Sequence, residues 1–409
     1  MKTYRTYLLQ SFLLAGTVMN VSCASAQTIG LDAMSVVSTS SMVNGNSMLT
    51  CRLSALTDTV DFPLSQLIEE PEIIPLDTRD EAQVQVNSGV TQTDSHILIW
   101  GRDQVPFKLF DRKGKYIASI PQVRTGDPNR ASEMKIAMIY DAEINERSGR
   151  VYLATWPYIS LFSCNLKGGD LQFHPTKDIG TVGKGVIHVD GNQISVMGVC
   201  FGNMPYQAWT QSADGKTIFN RVQAPWLNVP NNNTYGASFS NEILHYNNVD
   251  AVDMNYLTWD NRPDTLYHYD TKKGVLIPRF TLDLEGQKAI TLRCFNELPH
   301  HILGSISGIK VEGGNASNLE GVGYIVEKST GKGAFVHYYD DYLGLGLYSP
   351  SFSDGYYSFI CTASQMKSIL TSRPNQTPLH SAWVKKNASY LKKITSEEDL
   401  FLVRAKIKK

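Results

Sequence analysis

The chain has 409 residues, of which 42% are hydrophobic and 19% are charged, a balance that supports a folded core and excludes a disordered chain. Its 38 Lys and Arg residues against 39 Asp and Glu residues give a formal net charge of −1. The basic surplus that binds phosphate backbones is absent, so we expect no nucleic-acid partner.

The N-terminal segment has the pattern of a secretory signal. Basic residues precede an apolar stretch from 7 to 19, and small residues follow up to Ala26, so we predict a signal peptide over residues 1–26. Two processing routes remain open: cleavage after Ala26, or lipidation at Cys23 within a partial lipoprotein box. We expect export to the periplasm or the outer-membrane-associated envelope, with no transmembrane segment and with membrane contact only if Cys23 is lipidated.

Residues 27–47 are rich in Ser, Thr, Val, Met and Asn, a composition that predicts a flexible lead-in to a single domain over residues 48–409. The six cysteines show no Cys-x-x-Cys spacing, which excludes a zinc ribbon or a thioredoxin-like motif. We expect most of them to be buried as small apolar side chains.

A repeat of about fifty residues runs through the chain, each copy having a loop, a strand, a turn and a second strand. Proline cannot donate to a sheet ladder and so marks the start of a strand, whereas glycine supplies the positive φ of a tight hairpin. The loop prolines are Pro106, Pro157, Pro205 and Pro263. The turn glycines are Gly114, Gly168, Gly215, Gly274 and Gly331.

A unit of this length holding four short antiparallel strands is typical of a propeller blade. Five copies are visible, and the residues after Gly331 supply a sixth. We therefore predict an all-β fold, a six-bladed β-propeller of four-stranded antiparallel blades, with a short amphipathic helical insertion at about 378–393 in the last blade. Because an open ring would leave exposed edges, we expect residues 48–67 to close it beside late strands.

Several segments, at 62–67, 72–78, 108–111 and 264–267, are similar to motifs of a known family. Through them, over residues 57–409, the chain resembles the six-bladed β-propeller proteins of Bacteroidota envelopes, most of them of unknown function. The resemblance implies a fold and a compartment and carries no catalytic residues. After the first blade such proteins often have Gly-Pro-Gly-Glu, where this chain has Thr125-Gly126-Asp127-Pro128-Asn129.

In a propeller, the loops between the second and third strands of every blade open on one face. Aromatic, cationic and acidic side chains gather in these loops, and such a mixture suits a glycan or a peptide. The candidate ligand-binding residues are Trp100, Arg102, Asp103, Trp156, Tyr158, Tyr206, Trp259, Asp260 and Arg262. The alternative is that the aromatic residues pack between blades and the charges are solvated.

Other chemistry has weaker support. The adjacent His300 and His301 point to opposite faces of a strand and cannot share an ion, so we expect no metal and no cofactor. No nucleophile or phosphate-loop motif is present, and we assign no catalytic residue. Thr59 and Thr265 stand in Asp-Thr-apolar contexts that resemble envelope O-glycosylation sites, so with Cys23 they are candidates for modification.

These observations favour an envelope propeller that binds a glycan, a peptide or a partner protein without catalysis. The alternative is a polysaccharide-acting glycosidase or lyase, which would need acids converging near the propeller axis. A third interpretation is a structural subunit that uses the helix near Trp383 as its contact surface.

Overall fold

The structure is a computed structural model that describes residues 34–101, 106–125, 135–156, 159–176, 183–200, 204–229, 234–235, 239–258, 264–286, 291–312, 315–318, 321–347, 349–371 and 377–409. The predicted signal peptide and Cys23 lie outside these residues. No helix in the described ranges combines the length and the apolar character that a membrane crossing needs.

Five sheets each take four antiparallel strands from one continuous segment and pair them in chain order. Sheet 1 comprises Gly89–Gln92, His96–Trp100, Lys108–Asp111 and Tyr116–Ser119. Sheet 2 comprises Met138–Asn145, Arg150–Trp156, Leu161–Asn165 and Gln172–His174. Sheet 3 comprises Lys184–Asp190, Gln193–Val199, Ala208–Ser212 and Ile218–Val222. Sheet 4 comprises Glu242–Leu244, Val252–Leu257, Thr265–Asp270 and Val275–Asp283. Sheet 5 comprises Thr291–Glu297, His301–Glu312, Val322–Glu327 and Lys332–Asp340.

A further sheet, here called the closing sheet, joins the two ends of the described chain. Its strands, from the axis outwards, are Phe352–Ser353, Tyr356–Thr362, Leu400–Lys406 and Glu72–Pro75. Ile74 is the pairing partner of Leu402 in this antiparallel arrangement. An early strand therefore closes the ring from the outer edge of the last sheet.

Residues 48–67 do not close the ring, and that expectation was wrong. Asn46–Arg52 pairs in parallel with the outer strand of sheet 4, and Thr59–Pro63 pairs in parallel with the outer strand of sheet 5. Both segments do lie beside late strands, but they cover outer edges that would otherwise carry unpaired backbone groups.

The lead-in was predicted to be flexible, and this is wrong for its described part. Ser35–Val36 pairs with the outer strand of sheet 5, and Ser38–Val43 forms a hairpin with Asn46–Arg52. The hairpin turns at Asn44 and Gly45, both with positive φ, which is the pairing that a two-residue turn prefers. The Asn44-Gly45 pair is a sequence signal for this hairpin, whereas the polar composition of residues 27–47 favoured a flexible segment.

Two helices interrupt the closing sheet between Tyr356–Thr362 and Leu400–Lys406. Pro378–Asn387, followed by the 3-10 turn Ala388–Lys393, occupies the predicted insertion, whereas Ala363–Thr371 was not predicted. Thr377 caps the second helix, since its hydroxyl accepts from the backbone N–H of His380 at 3.0 Å. Trp383 is 2% exposed and its indole N–H donates to the Pro71 carbonyl at 2.8 Å, so the helix is anchored on the propeller.

The remaining elements are short. The two-stranded pairs are Arg124–Thr125 with Lys135–Ile136 and Thr234–Tyr235 with Phe239–Ser240. Single added strands are Asn315–Asn318 and Leu345–Leu347, both on sheet 5. The other 3-10 turns are Leu53–Ala55, Leu64–Gln66, Asp80–Ala82 and Pro225–Leu227.

The predicted turn glycines all adopt positive φ, and each of them also packs against the neighbouring sheet. A Cβ on Gly114 would lie 2.1 Å from the carbonyl oxygen of Pro75, which ends the outer strand of the closing sheet. A Cβ on Gly215 would lie 2.1 Å from the carbonyl oxygen of Pro175, just beyond the outer strand of sheet 2. The hairpin turn of one sheet thus fits under the outer edge of the sheet before it, which keeps the repeat in register.

The apolar core lies between neighbouring sheets. Ile74 and Leu402 of the closing sheet pack with Ile97 and Phe110 of sheet 1, and similar clusters fill the other gaps. The five described cysteines are free thiols, four of them buried.

Candidate functional site

A cavity of about 530 Å³ runs along the axis and is lined by residues from all the sheets described above. Its polar lining includes Thr91, Asp141, Glu143, Glu242, His245, Asn247, Asn296 and Asp354. Its apolar and aromatic lining includes Val90, Trp100, Trp156, Leu292, Leu303, Ile306, Tyr338, Phe359 and Ile360.

The cavity has one largely apolar wall. The innermost strand of the closing sheet, Phe352–Ser353, is only two residues long, and the second strand of that sheet reaches the cavity through Ser358, Phe359 and Ile360. The second strand of sheet 5 contributes Leu303 and Ile306. Ile306 and Phe359 are half-buried at this wall, whereas Leu303 and Ile360 are 8% and 7% exposed and also pack in the core between the sheets.

The polar wall begins with three alternate residues on the first strand of sheet 2. Alternate residues share one face of a strand, so the side chains of Asp141, Glu143 and Asn145 point the same way. The Ile187 N–H donates to Asp141 Oδ2 at 2.7 Å, and the Val189 N–H donates to both Glu143 oxygens at 3.1 and 3.0 Å. The Asn145 amide donates to the Val189 carbonyl at 2.8 Å. These side chains satisfy backbone groups on the free edge of the first strand of sheet 3.

Asp354 links three sheets at the end of the cavity away from the loops between second and third strands. It sits in the tight turn after Phe352–Ser353 with a φ of 56°. Its N–H donates to the Tyr246 carbonyl at 2.8 Å, and Oδ2 accepts from the Gln92 N–H at 3.0 Å. The Asn247 side-chain amide donates to Oδ1 at 3.4 Å. This carboxyl group therefore joins the closing sheet to sheets 1 and 4.

His245 is a buried cation near Asp354, at the end of the cavity away from the loops between second and third strands. Its Nδ1 donates to the Asp253 carbonyl at 2.8 Å and lies 3.2 Å from Asp253 Oδ1. Burial alone disfavours an imidazolium, but the Asp253 carboxylate, helped by Asp141 and Glu143, raises the pKa of His245 to about 10. The imidazolium in turn holds the pKa of Asp253 below its usual value against the effect of burial. The two form an ion pair at neutral pH.

Asp141, Glu143 and Asp354 do not form an ion pair of the kind that joins Asp253 to His245. Burial raises the pKa of Glu143 to about 8 and that of Asp354 to about 7, and it also raises the pKa of Asp141. His188, with Nδ1 3.7 Å from Glu143 Oε1, has its pKa lowered to about 4 by burial and by the nearby His245, so it is neutral. Among the described residues, no Lys or Arg forms an ion pair with Asp141, Glu143 or Asp354.

A second charged group lies nearer the loops between second and third strands. Lys184 and Glu242 form a buried ion pair, and the Tyr140 hydroxyl donates to Glu242 Oε2 at 2.8 Å. Burial lowers the pKa of Lys184, whose ammonium also lies 5.9 Å from the ring centre of Trp156. Glu242 is thus neutralised by Lys184, unlike the three carboxyl groups deeper in the cavity.

Of the nine predicted ligand-binding residues, three are described. Trp100 and Trp156 line the cavity, whereas Tyr206 is half-buried outside it, with the Arg221 guanidinium 5.1 Å from its ring centre. The Trp100 indole N–H donates to Thr91 Oγ1 at 2.9 Å and the residue is 8% exposed, so Trp100 packs in the wall of the cavity. Arg102, Asp103, Tyr158, Trp259, Asp260 and Arg262 lie outside the described residues.

The sequence interpretation missed the cavity residues Asp141, Glu143, His245 and Asp354. The alternation of Asp141, Glu143 and Asn145 within an otherwise apolar strand was the available signal, because it indicates a polar face on a strand that must border the axis. The part of the chain that the structure describes holds no group of three or more His, Cys, Asp or Glu arranged to hold a metal ion. Thr59 is exposed and Thr265 is half-buried.

Four-stranded antiparallel sheets around an axial cavity define a β-propeller. Comparison of the sequence with protein-family models and with curated proteins finds no match. Among solved structures, the chain is similar to a protein of Bacteroides fragilis assigned as exported, with a TM-score of 0.54 and 13% identity over 88% of this chain and 99% of that one. A member of the DUF4221 family from Bacteroides vulgatus gives a TM-score of 0.40 at 11% identity over 84% of this chain and 98% of that one. An oligogalacturonate lyase in complex with manganese gives 0.35 at 11% identity over 77% of this chain and 75% of that one.

Proposed function

We propose that the protein is an exported, non-catalytic ligand-binding propeller that holds its ligand in the axial cavity. The observation that carries the proposal is the cavity of about 530 Å³, which has an apolar wall and a polar wall and the size of an ordinary ligand site. Export is supported by the signal pattern over residues 1–26 and by the similarity in fold to the Bacteroides fragilis protein assigned as exported.

The proposed ring has six blades. Five are the sheets built from continuous segments, and the closing sheet, with three late strands and Glu72–Pro75, is the sixth. A blade built from both ends of the chain makes the platform rigid, because the ring cannot open at this blade unless the hydrogen bonds between Glu72–Pro75 and Leu400–Lys406 break. A rigid ring suits a binding platform whose ligand groups come from several blades.

Binding is favoured over catalysis by the engagement of the cavity acids. Asp141 and Glu143 accept from backbone N–H groups of sheet 3, and Asp354 accepts from the N–H of Gln92. A carboxyl group fixed in this way holds two sheets together and is poorly placed to move during a reaction. The proposed ligand is a glycan, a peptide or a segment of a partner protein that reaches the cavity past Trp156.

The test is a glycan-array and peptide-retention screen on the protein from Gln27 onwards. Trp156→Ala should weaken retention of the ligand at least about tenfold, the loss expected for one stacking aromatic ring. Ser305→Trp, which places a bulky ring on an exposed lining position, should abolish it.

Trp226→Ala is the matched control, because Trp226 is 64% exposed and does not line the cavity. Retention that is equal in the wild type and in Ser305→Trp would contradict the cavity as the binding site.

The alternative function is a polysaccharide-acting glycosidase or lyase. One observation favours it: burial raises the pKa of Glu143 to about 8, so its carboxyl group is protonated at neutral pH, as a general acid must be. Release of reducing sugar from a retained polysaccharide, lost in Glu143→Gln, would establish the enzyme. Retention without release supports the binding platform.

A further inference from the structure

We propose that one face of the ring, formed by the turns between the third and fourth strands, docks on an anionic phospholipid surface through exposed lysine side chains. These side chains, here called the lysine rim, are Lys113, Lys115, Lys167, Lys216, Lys272 and Lys273. The inference goes beyond the proposed ligand of the axial cavity and concerns a different part of the molecule.

The lysines recur at one place in the repeat. Each of the five turn glycines has a lysine directly beside it in the sequence, and these glycines are Gly114, Gly168, Gly215, Gly274 and Gly331. Because the strands of each sheet pair antiparallel in chain order, the turns between third and fourth strands all lie on the same face of the ring. The topology therefore brings the lysines of separate sheets to one side of the molecule.

The turns do not need lysine for their own geometry. Asp111 Oδ1 accepts from the backbone N–H groups of Lys113 and Lys115 at 2.8 and 3.0 Å. Asp270 Oδ1 accepts in the same way from the two lysine N–H groups of the sheet 4 turn, at 3.1 and 2.9 Å. An acid and a glycine thus build the turn through the backbone, and the ammonium groups take no part in these bonds. The repeated lysine has another cause.

The charges of this face are unbalanced in favour of lysine. The turns between first and second strands lie on the same face, and three of their acids have partners: Asp94 with Lys406, Glu146 with His96 and Asp190 with Arg147. Within the rim, Lys216 and Lys273 pair with acids of their own turns at 3.3 and 3.4 Å. In the part of the chain that the structure describes, the exposed Asp250 forms no ion pair, and neither do four rim lysines: Lys113, Lys115, Lys167 and Lys272.

An extended anionic surface fits this arrangement better than a small anion does. The rim lysines belong to four sheets, so a single phosphate or carboxylate would reach one turn, whereas a flat surface meets all of them together. Each lysine near an anionic leaflet strengthens binding about fivefold. Since the whole chain has a formal net charge of −1, the rim is a local asymmetry that would orient the molecule on such a surface.

The start of the described chain lies beside the same face. Ser35–Val36 pairs with Gly333 and Lys332, directly after the turn at Gly331. Cys23, one of the two predicted processing sites, precedes Met34 by eleven residues, which span at most about 40 Å. A lipid on Cys23 would thus be joined to the ring near the rim. The loops between second and third strands, on the opposite face, would remain in solution.

The test is co-sedimentation of the protein from Gln27 onwards, without a lipid, with phospholipid vesicles. Vesicles of phosphatidylcholine alone are compared with vesicles that also contain about 30% phosphatidylglycerol, at about 50 mM and about 500 mM NaCl. We expect the partition coefficient at low salt to be at least about tenfold higher for the anionic vesicles, and the difference to disappear at high salt. Equal binding to both vesicles, or no binding to either at low salt, would overturn the proposal.

Two double variants test the rim itself. Lys113→Glu with Lys115→Glu in sheet 1, and Lys272→Glu with Lys273→Glu in sheet 4, reverse exposed charges and leave the backbone bonds of the turns in place. Each pair should lower the partition coefficient on anionic vesicles at least about tenfold.

Lys392→Glu with Lys393→Glu is the matched control, because it makes the same change of charge at exposed positions of the helical insertion. It should change the partition coefficient by less than about twofold. A loss in the control as large as that in the rim variants would assign the effect to overall charge and overturn the proposal.

Heparin, a soluble polyanion, distinguishes a membrane from another anionic partner. Retention on heparin that the rim variants abolish, without binding to anionic vesicles, would overturn the membrane assignment. The rim variants should leave ligand retention in the glycan and peptide screen unchanged, so failure of the rim and failure of the proposed ligand site are separate results.

Discussion

Glu143 has two roles that act against each other. Its carboxyl group bonds to the Val189 N–H and so fixes sheet 2 against sheet 3, yet it lines a cavity where burial raises its pKa to about 8. Its titratable neighbours are Asp141 on the same strand, the neutral His188 of sheet 3, His245 and Asp253 of sheet 4, and Asp354 of the closing sheet. Charge at this residue opposes the folded state, which is a common condition of binding sites.

This conflict predicts how stability depends on pH. Between pH 4.5, the ordinary pKa of a Glu side chain, and about pH 8, the raised pKa of Glu143, the folded state holds a proton on Glu143 that the unfolded state does not, so stability falls as pH rises through that window. Asp354, with a pKa of about 7, acts in the same direction. His245 contributes stability that is complete below pH 6.5 and is lost as pH rises through about 10.

We therefore expect the midpoint temperature of thermal unfolding to decrease as the pH is raised from 6 to 9. The decrease should be smaller in Glu143→Gln than in the wild type. For each pH unit within the window, the wild type should lose up to about 1.4 kcal/mol more unfolding free energy than Glu143→Gln loses. Differential scanning calorimetry at half-unit steps measures this, with Asp214→Asn as the control, since its pKa of about 2 lies outside the window. Parallel pH profiles of the wild type and Glu143→Gln would contradict it.

At the scale of the element, the hairpin between the third and fourth strands does more than reverse the chain. The turn at Gly114 fits under the carbonyl of Pro75, and the Gly114 carbonyl accepts from the Asp77 N–H at 2.9 Å. The same element therefore supplies both the turn and the contact between sheets, so its glycine has two requirements where an ordinary hairpin glycine has one.

Gly114→Ala and Gly45→Ala separate these requirements. Both glycines have positive φ, but nothing lies within 4 Å of a Cβ on Gly45. Gly45→Ala should cost about 1 kcal/mol of unfolding free energy, from the backbone conformation alone. Gly114→Ala should cost at least about 3 kcal/mol, because the backbone of Pro75 must also move. Urea unfolding measures both, and equal losses would show that the contact between sheets is unimportant.

The elements also show what sequence reasoning could reach. The turn glycines and loop prolines predicted the strands and their order, because positive φ and the missing N–H of proline are local requirements. The cavity acids were missed because their position depends on which strands border the axis, and Asp354 and His245 are brought together from residues far apart in the chain. Of the nine predicted ligand residues, the structure places Trp100 and Trp156 at the cavity.

At the scale of the whole molecule, the ring depends on one antiparallel pairing between early and late strands. Leu402 is fully buried and pairs with Ile74, whereas the hairpin containing Met42 lies on the outer edge of sheet 4 with Met42 69% exposed. Residues 48–67 pair beside late strands as the sequence predicted, but the segment that closes the ring is Glu72–Pro75. Four early strands pair with late ones, and their side-chain patterns do not say which edge each will meet.

Leu402→Ala should therefore lower the unfolding free energy by about 2 to 5 kcal/mol, the cost of a large cavity at the closing sheet. Met42→Ala should change it by less than about 0.5 kcal/mol. Chemical denaturation followed by tryptophan fluorescence measures both. A loss at Leu402 no larger than that at Met42 would show that the closing sheet does not stabilise the ring.

The closing sheet also sets the order in which the protein can be completed. Glu72–Pro75 is made early, but its partner Leu400–Lys406 is made much later. Until then, the outer edge that receives the turn at Gly114 is one unpaired strand, and no cavity is enclosed on that side. A chain emerging from its N-terminus would thus hold an open array of sheets, and the axial cavity would be enclosed only after Leu400–Lys406 had joined Glu72–Pro75.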